Sequence, residues 1–209
     1  MPNTSDALAQ ANYQVRLEWG DAGLRRLAPA HVVVVVQTLG LTARVLAAVE
    51  SDGSVTASSS DPAARIALAA ERAGAHVVVA GIRNAAAVAA HVLDVQRSRG
   101  DRTSIAVVAA GDADAAEGAA PRFAVEDLLG AGAVVAALGD LGIDHASPDA
   151  AVAGEGFRAL RGAVRHLLTA SGTGRLRADA GERDLVLAAA ERDAASVVPV
   201  LRDGTFVRA

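Results

Sequence analysis

The chain has 209 residues, of which 52 % are hydrophobic and 2 % aromatic, with a formal net charge of −4. That length supports one sizeable core, and a composition dominated by Ala and Val requires the core to be packed from small side chains. The acidic balance, with no basic cluster, argues against a nucleic-acid-binding face, and the absence of Cys excludes disulfides, a thiol nucleophile and thiolate zinc sites.

Residues 1–11 are polar, lack the charged and apolar regions of a signal peptide, and are expected to form a flexible arm ahead of one domain over 12–209. Tyr13 to Trp19 (YQVRLEW) alternates as a strand with one wet face. After a short turn or helix comes HVVVVVQTLG, in which Val32 to Val36 form a run of β-branched residues suited to a strand buried on both faces. A helix is predicted over 41–50 and a short strand over 55–57. SSSDP reads as a loop and helix start, with Pro62 in the first turn and the helix reaching Ala73. Further buried strands are predicted at 75–80 (AHVVVA) and 103–110 (TSIAVVAA), with an Ala-rich helix from Asn84 to about Arg97 between them.

After the loop GDADAAEGAAPR, a helix over 125–138 contains Gly130 and Gly132. Such glycines cost up to ~1 kcal/mol each relative to Ala, so they point to close backbone packing. A helical region over 148–170 is expected to break at Gly154 to Gly156, and another helix to span 183–193. The end, SVVPVLRDGTFVRA, reads as two strands around an Asp203–Gly204 turn. Valine strands alternating with helices predict a single three-layer α/β/α domain, its central sheet mostly parallel or mixed, closed by a C-terminal β-hairpin.

In such folds ligands gather at the carboxyl ends of the strands, and three segments place polar residues there. Gly81-Ile-Arg83-Asn84 follows a strand and opens a helix; Arg83 and Asn84 can form an anion site, or Asn84 can simply cap its helix. Asp112 and Asp114 follow the third buried strand, where one or two carboxylates could hold Mg²⁺ or form an ordinary acidic turn. Glu126 and Asp127 lie in the first turn of a helix, a place the helix dipole favours for acids whatever their function. Adjacent positions diverge, so at most one of the two is expected to reach a metal or reacting group.

Other motifs carry less. Gly154-Glu-Gly156-Phe-Arg-Ala159 matches the dinucleotide fingerprint by letter but follows a helix instead of a strand, which disfavours a nucleotide-binding module. Ser171-Gly-Thr-Gly174-Arg175 reads as an anion loop or as a linker. The five histidines are scattered, with no HxxxH or HxH pair. There is no nucleophile elbow and no phosphate-binding loop. All 20 basic residues are Arg, a bias that a GC-rich genome produces and that fork-shaped anion donors also require. With no apolar run near the ~20 residues of a membrane span, a cytoplasmic protein with no membrane or nucleic-acid partner is expected; a homo-oligomer is left open.

Taken together, YQVRLEWGDAGLRRLAP, the valine strand, GIRNAAAVAAHVL, IAVVAAGD, FAVEDLLGAGAVV and ERDLVLAAAERDAASVVPVLRDGTFV resemble the magnesium-dependent 2-phosphosulfolactate phosphatases. The strongest pair is RNAxAVA followed by EDLLGAG. The resemblance implies a compact α/β fold that hydrolyses a small, doubly anionic phosphate ester on the route to coenzyme M. It implies Mg²⁺ as cofactor and a phosphate or sulfonate ligand. It also implies catalytic roles for Asp112, Glu126 and Asp127, metal binding by Asp112 and Glu126, and substrate binding by Arg83, Asn84 and Gln37.

The chain departs from the family's pattern in four places. Where the valine strand of family members runs into an Asp (DVLRAST, DVLSFST), this chain has Gln37-Thr-Leu-Gly-Leu-Thr42. An amide cannot carry charge to a metal, though it can hydrogen-bond a ligand. A Glu of the family appears as Asp112. The G-N-S-P segment has no counterpart, and the N-G-T or N-G-S loop appears as Asp61-Pro62-Ala63. Two readings follow: a divergent Mg²⁺-dependent phosphatase with water as nucleophile, or a non-catalytic member that binds small anions or serves a structural role.

Overall fold

The computed structural model describes residues 7–112 and 122–209. Seven strands form one sheet: β1 (Val15–Trp19), β2 (Val32–Val36), β3 (Val55–Thr56), β4 (His76–Ala80), β5 (Ile105–Ala109), β6 (Pro199–Arg202) and β7 (Thr205–Arg208), in the order β1-β5-β2-β4-β6-β7-β3. The first four in that order run parallel, and the remainder is antiparallel. The sheet is therefore mixed.

The described helices are α1 (Gly20–Arg26), α2 (Leu41–Glu50), α3 (Pro62–Arg72), α4 (Ala85–Arg99), α5 (Val125–Asp140), α6 (Pro148–Leu160), α7 (Val164–Ala170), α8 (Gly172–Asp179) and α9 (Arg183–Ala189). Because side chains alternate along a strand, Val32, Val34 and Val36 join one core, built with α4 to α7 and α9. Val33 and Val35 join the other, built with α2 and α3. Five consecutive valines are needed because both faces of β2 are covered. The three-layer α/β/α architecture is thus present, with the C-terminal hairpin turning through Asp203 and Gly204 at φ of 50° and 71°, a pair of positive angles that suits a two-residue hairpin loop.

Several elements differ from their sequence-based prediction, each for a physical reason. The wet face expected on β1 is covered: Arg16 is buried, and its guanidinium donates to the carbonyls of Tyr13, Ala28 and Ala11. Residues 1–6 of the expected arm lie outside the described residues, and the Ala9 carbonyl, within the expected arm, accepts the Ala28 N–H. The buried Gln10 carboxamide accepts from Leu17 N–H at 3.1 Å and donates to Leu17 C=O at 2.9 Å, covering part of the free edge of β1 as a strand would.

The break expected at Gly154 to Gly156 does not occur. Helix α6 runs through both and ends at Leu160. Gly154 lies against Val135, and a Cβ on Gly132 would stand 2.2 Å from the Ala153 carbonyl oxygen. These glycines let α5 and α6 cross backbone to backbone, as expected for Gly132. The last helix stops at Ala189 instead of Asp193, because Asp193 and Ala195 donate N–H groups to the Ile82 and Arg83 carbonyls.

The parallel strands end level: Trp19 pairs with Ala109, Ala109 with Val36 and Val36 with Ala80. The helix after β2 covers one face and the helix after β5 covers the other. The loops leaving these adjacent strands therefore diverge and open a crevice between them.

Candidate active site

The crevice is held open by hydrogen bonds from the first turn of α5. Asp127 Oδ1 accepts the N–H of Thr38 at 2.7 Å, just past β2, and its Oδ2 accepts the N–H of Gly111 at 2.9 Å, just past β5. The Thr38 hydroxyl donates to the Glu126 carbonyl at 2.8 Å. Gly111 turns the chain off its strand at φ 69°, a conformation that glycine adopts without strain. Gly130 lets the helix sit this close: a Cβ there would be 2.4 Å from the Thr38 hydroxyl.

Above this junction lies a cleft of about 330 Å³, bordered by Gln37, Asp112, Glu126, Asp127, Arg44 and Arg177, together with the Ser60–Pro62 turn and Thr173. Burial, supplemented by the charges of Glu126 and Asp112, pushes the Asp127 carboxyl up to about 8, against the lowering effect of its two backbone donors. Glu126 is 3 % exposed, and its Oε1 is buried without a hydrogen-bond partner. Such an orphan is costly unless something binds it.

Asp112 is held from two sides. Arg122 pairs with its carboxylate, and the Thr173 hydroxyl lies 3.1 and 2.9 Å from its two oxygens. Backbone hydrogen bonds in both directions between Asp112 and Arg122 close the base of their loop. Asp114 lies outside the described residues. The Ser171-Gly-Thr-Gly174 segment starts α8, with the Ser171 hydroxyl capping the N–H of Gly174, and its Thr173 faces Asp112.

Gln37 borders the cleft with a neutral amide whose Oε1 accepts the N–H of Leu41 at 2.8 Å, starting α2. Four of the six residues given roles by the resemblance therefore share one cleft: Gln37, Asp112, Glu126 and Asp127. Arg83 and Asn84 stand elsewhere. Arg83 bridges Glu50 and Glu191. Asn84 is fully buried: its Oδ1 accepts from Gly81 N–H, and its Nδ2 donates to the carbonyls of Val79 and Val197. It occupies the N-cap position of α4 without capping it and instead ties β4 to the segment leading into β6.

Sequence reasoning missed Arg44, Ser60 and Arg177, and it reached Thr173 only as part of a segment read as an anion loop or as a linker. Thr173 and Arg177 are four apart on α8 and so share a face, a signal that was present. Nothing in the sequence links that face to Asp112.

The fit of Mg²⁺ rests on the donor set. Among the described residues no three His, Asp or Glu side chains are close enough to hold a metal by themselves. Mg²⁺, however, usually takes one or two carboxylates and completes its shell with water and phosphate oxygens. Glu126, with its orphaned oxygen, and Asp112 supply hard ligands of that kind.

Residues 45–204 match the model of a family described as 2-phosphosulpholactate phosphatase. The chain belongs to that family. The matched span of this 2-phosphosulfolactate phosphatase family member includes Asp112, Glu126, Asp127, Thr173 and Arg177, and begins after Gln37 and Arg44. No curated protein matches the chain.

Proposed function

We propose that the cleft at the β2/β5 crevice binds a small phosphate monoester and, with Mg²⁺, hydrolyses it. The observation carrying this reading is the buried Glu126 Oε1, unpartnered beside Asp112 and Asp127 in an open cleft, in a chain of a phosphatase family. Glu126 and Asp112 would hold Mg²⁺, which neutralises phosphoryl charge and activates water when bound. Thr173 and Arg122 orient Asp112. Asp127, with its proton held to about pH 8, can exchange a proton near neutrality. Its two backbone bonds keep the loops after β2 and β5 at a set separation, and phosphoryl transfer depends on such positioning.

The test is Mg²⁺-dependent phosphate release from 2-phosphosulfolactate and from a generic phosphate ester, with Glu126→Gln alongside. Turnover by the native chain that the substitution abolishes is expected. No release from either ester would end the hydrolase reading.

Gln37 favours a second reading, a member that binds small anions without hydrolysing them. The resemblance places an Asp at that position, and here a neutral amide is engaged with the Leu41 N–H. A thermal-shift series with phosphate, a sulfonate and a dicarboxylate tests it: stabilisation without turnover supports binding alone. Gain of turnover in Gln37→Asp would show that the missing charge is what limits catalysis.

A further inference from the structure

We infer that Arg44 and Arg177 are the specificity residues of the cleft, and that they take a second anionic group, carboxylate or sulfonate, on a phosphate ester whose phosphate lies toward Glu126. This rests on the phosphate-ester reading above. The two arginines enter the cleft from α2 and α8, whereas Glu126 and Asp127 enter from α5. The two sets of charges thus come from separate elements.

The distribution of partners singles these arginines out. Arg44 Nη2 is 2.6 Å from Asp61, and Arg177 Nη1 is 2.7 Å from Glu182. Among the described residues the other N–H groups of both guanidinium forks have no protein acceptor. Asp61 borders the cleft but Glu182 does not, so the carboxylate that pairs with Arg177 stands outside the cleft that its guanidinium borders. Both side chains remain partly exposed, 54 % for Arg44 and 36 % for Arg177, as a ligand-facing group must be. A guanidinium fork offers parallel N–H donors to two oxygens of one oxyanion. Fixing one N–H on a carboxylate while the others lack a protein acceptor limits the motion of that fork and reduces the ordering needed on binding.

The experiment compares the native chain with Arg44→Met, Arg177→Met and the conservative Arg177→Lys, each checked for native circular dichroism. Three esters are assayed with Mg²⁺: 2-phosphosulfolactate, phosphoglycolate and phenyl phosphate, the last lacking a second anion. The expected result is a fall of about tenfold or more in kcat/KM for the first two, expressed in KM, and a clearly smaller fall for phenyl phosphate. Arg177→Lys should lie between Arg177→Met and the native chain. 2-Phosphosulfolactate carries both a carboxylate and a sulfonate and phosphoglycolate a carboxylate alone, so a larger fall for the first assigns the arginines to the sulfonate and equal falls for these two assign them to the carboxylate.

Calorimetric binding of sulfoacetate and malonate gives a readout that does not depend on turnover. If no ester is hydrolysed but these dianions bind the native chain and bind the arginine variants more weakly, the hydrolase reading fails and the assignment of the arginines stands. Equal losses for all three esters would overturn the assignment. So would native-like binding in both Met variants, or no binding of any dianion to the native chain.

Discussion

Asp127 and Thr38 lock the crevice at its base: the Asp127 carboxylate accepts the Thr38 N–H at 2.7 Å while the Thr38 hydroxyl bonds to the carbonyl of Glu126, the residue before Asp127. The second oxygen of Asp127 takes the Gly111 N–H. One buried side chain thus holds the ends of β2 and β5 and the start of α5. The group we propose for proton exchange is also the staple that ties these three segments together.

This double role makes stability depend on pH. The carboxyl of Asp127 stands at about 8 in the folded chain and at ~3.9 in an unfolded one. Between those values the folded state keeps a proton that the unfolded state has released, so this residue's contribution to stability falls as pH rises and levels off above about pH 8. Urea midpoints at pH 5, 6, 7 and 8 should decline more steeply for the native chain than for Asp127→Asn. At acid pH that variant is the less stable, by ~1–3 kcal/mol, because its amide nitrogen faces a backbone N–H, and the gap narrows as pH rises. Identical slopes would contradict the buried proton.

Glu126→Gln should have opposite effects with and without cation. It replaces a buried carboxylate, one oxygen of which has no partner, with a neutral amide of the same size, so without divalent ions the melting temperature stays level or rises. Mg²⁺ at a hundredfold excess over its dissociation constant should stabilise the native chain by ~2.7 kcal/mol and leave the variant unmoved. An equal Mg²⁺ shift in both places the ion elsewhere.

Asn84→Ala separates a structural role from a ligand role. The substitution leaves the Gly81 N–H and the Val79 and Val197 carbonyls without their partner; each buried group so orphaned costs ~1–3 kcal/mol. The expected outcome is a large loss in chemical denaturation with the phosphate-induced thermal shift retained. Loss of that shift in a variant that still folds would return Asn84 to the ligand.

Two glycines in neighbouring helices should respond oppositely to Ala. At Gly132 a Cβ would overlap the Ala153 carbonyl oxygen and approach Phe157 Cβ to 2.9 Å, so Gly132→Ala is destabilising, by ~1–3 kcal/mol or more. At Gly156 a Cβ meets nothing within 4 Å, and inside α6 the change should stabilise by up to ~1 kcal/mol. Melting curves of the two variants decide whether α5 and α6 cross as closely as described.

Much of the fold was legible because its signals are local. A run of five valines needs two covered faces, Asp61-Pro62 starts a helix with the Asp61 carboxylate accepting from the Ala63 and Ala64 N–H groups, and Asp203–Gly204 turns a hairpin. Gly154 and Gly156 misled for the same reason. Glycine breaks an isolated helix, but Gly154 faces another helix, and close packing there outweighs its weak intrinsic propensity.

The sequence by itself determined the strands, most helices and the family, since periodicity, turn chemistry and motif order are properties of neighbouring residues. It also put Gln37, Asp112, Glu126 and Asp127 at one edge of the sheet, because every parallel strand delivers its following loop to the same end. Which of the polar residues found the cleft was decided only by tertiary structure. Asn84 turned inward to tie down the segment before β6, and Arg83 turned to Glu50 and Glu191. Thr173 and Arg177 arrived from a helix distant in the chain, and Arg44 from the first turn of α2. A side chain's role depends on the partners that packing brings within hydrogen-bonding reach, and residues far apart in sequence carry no local trace of that meeting.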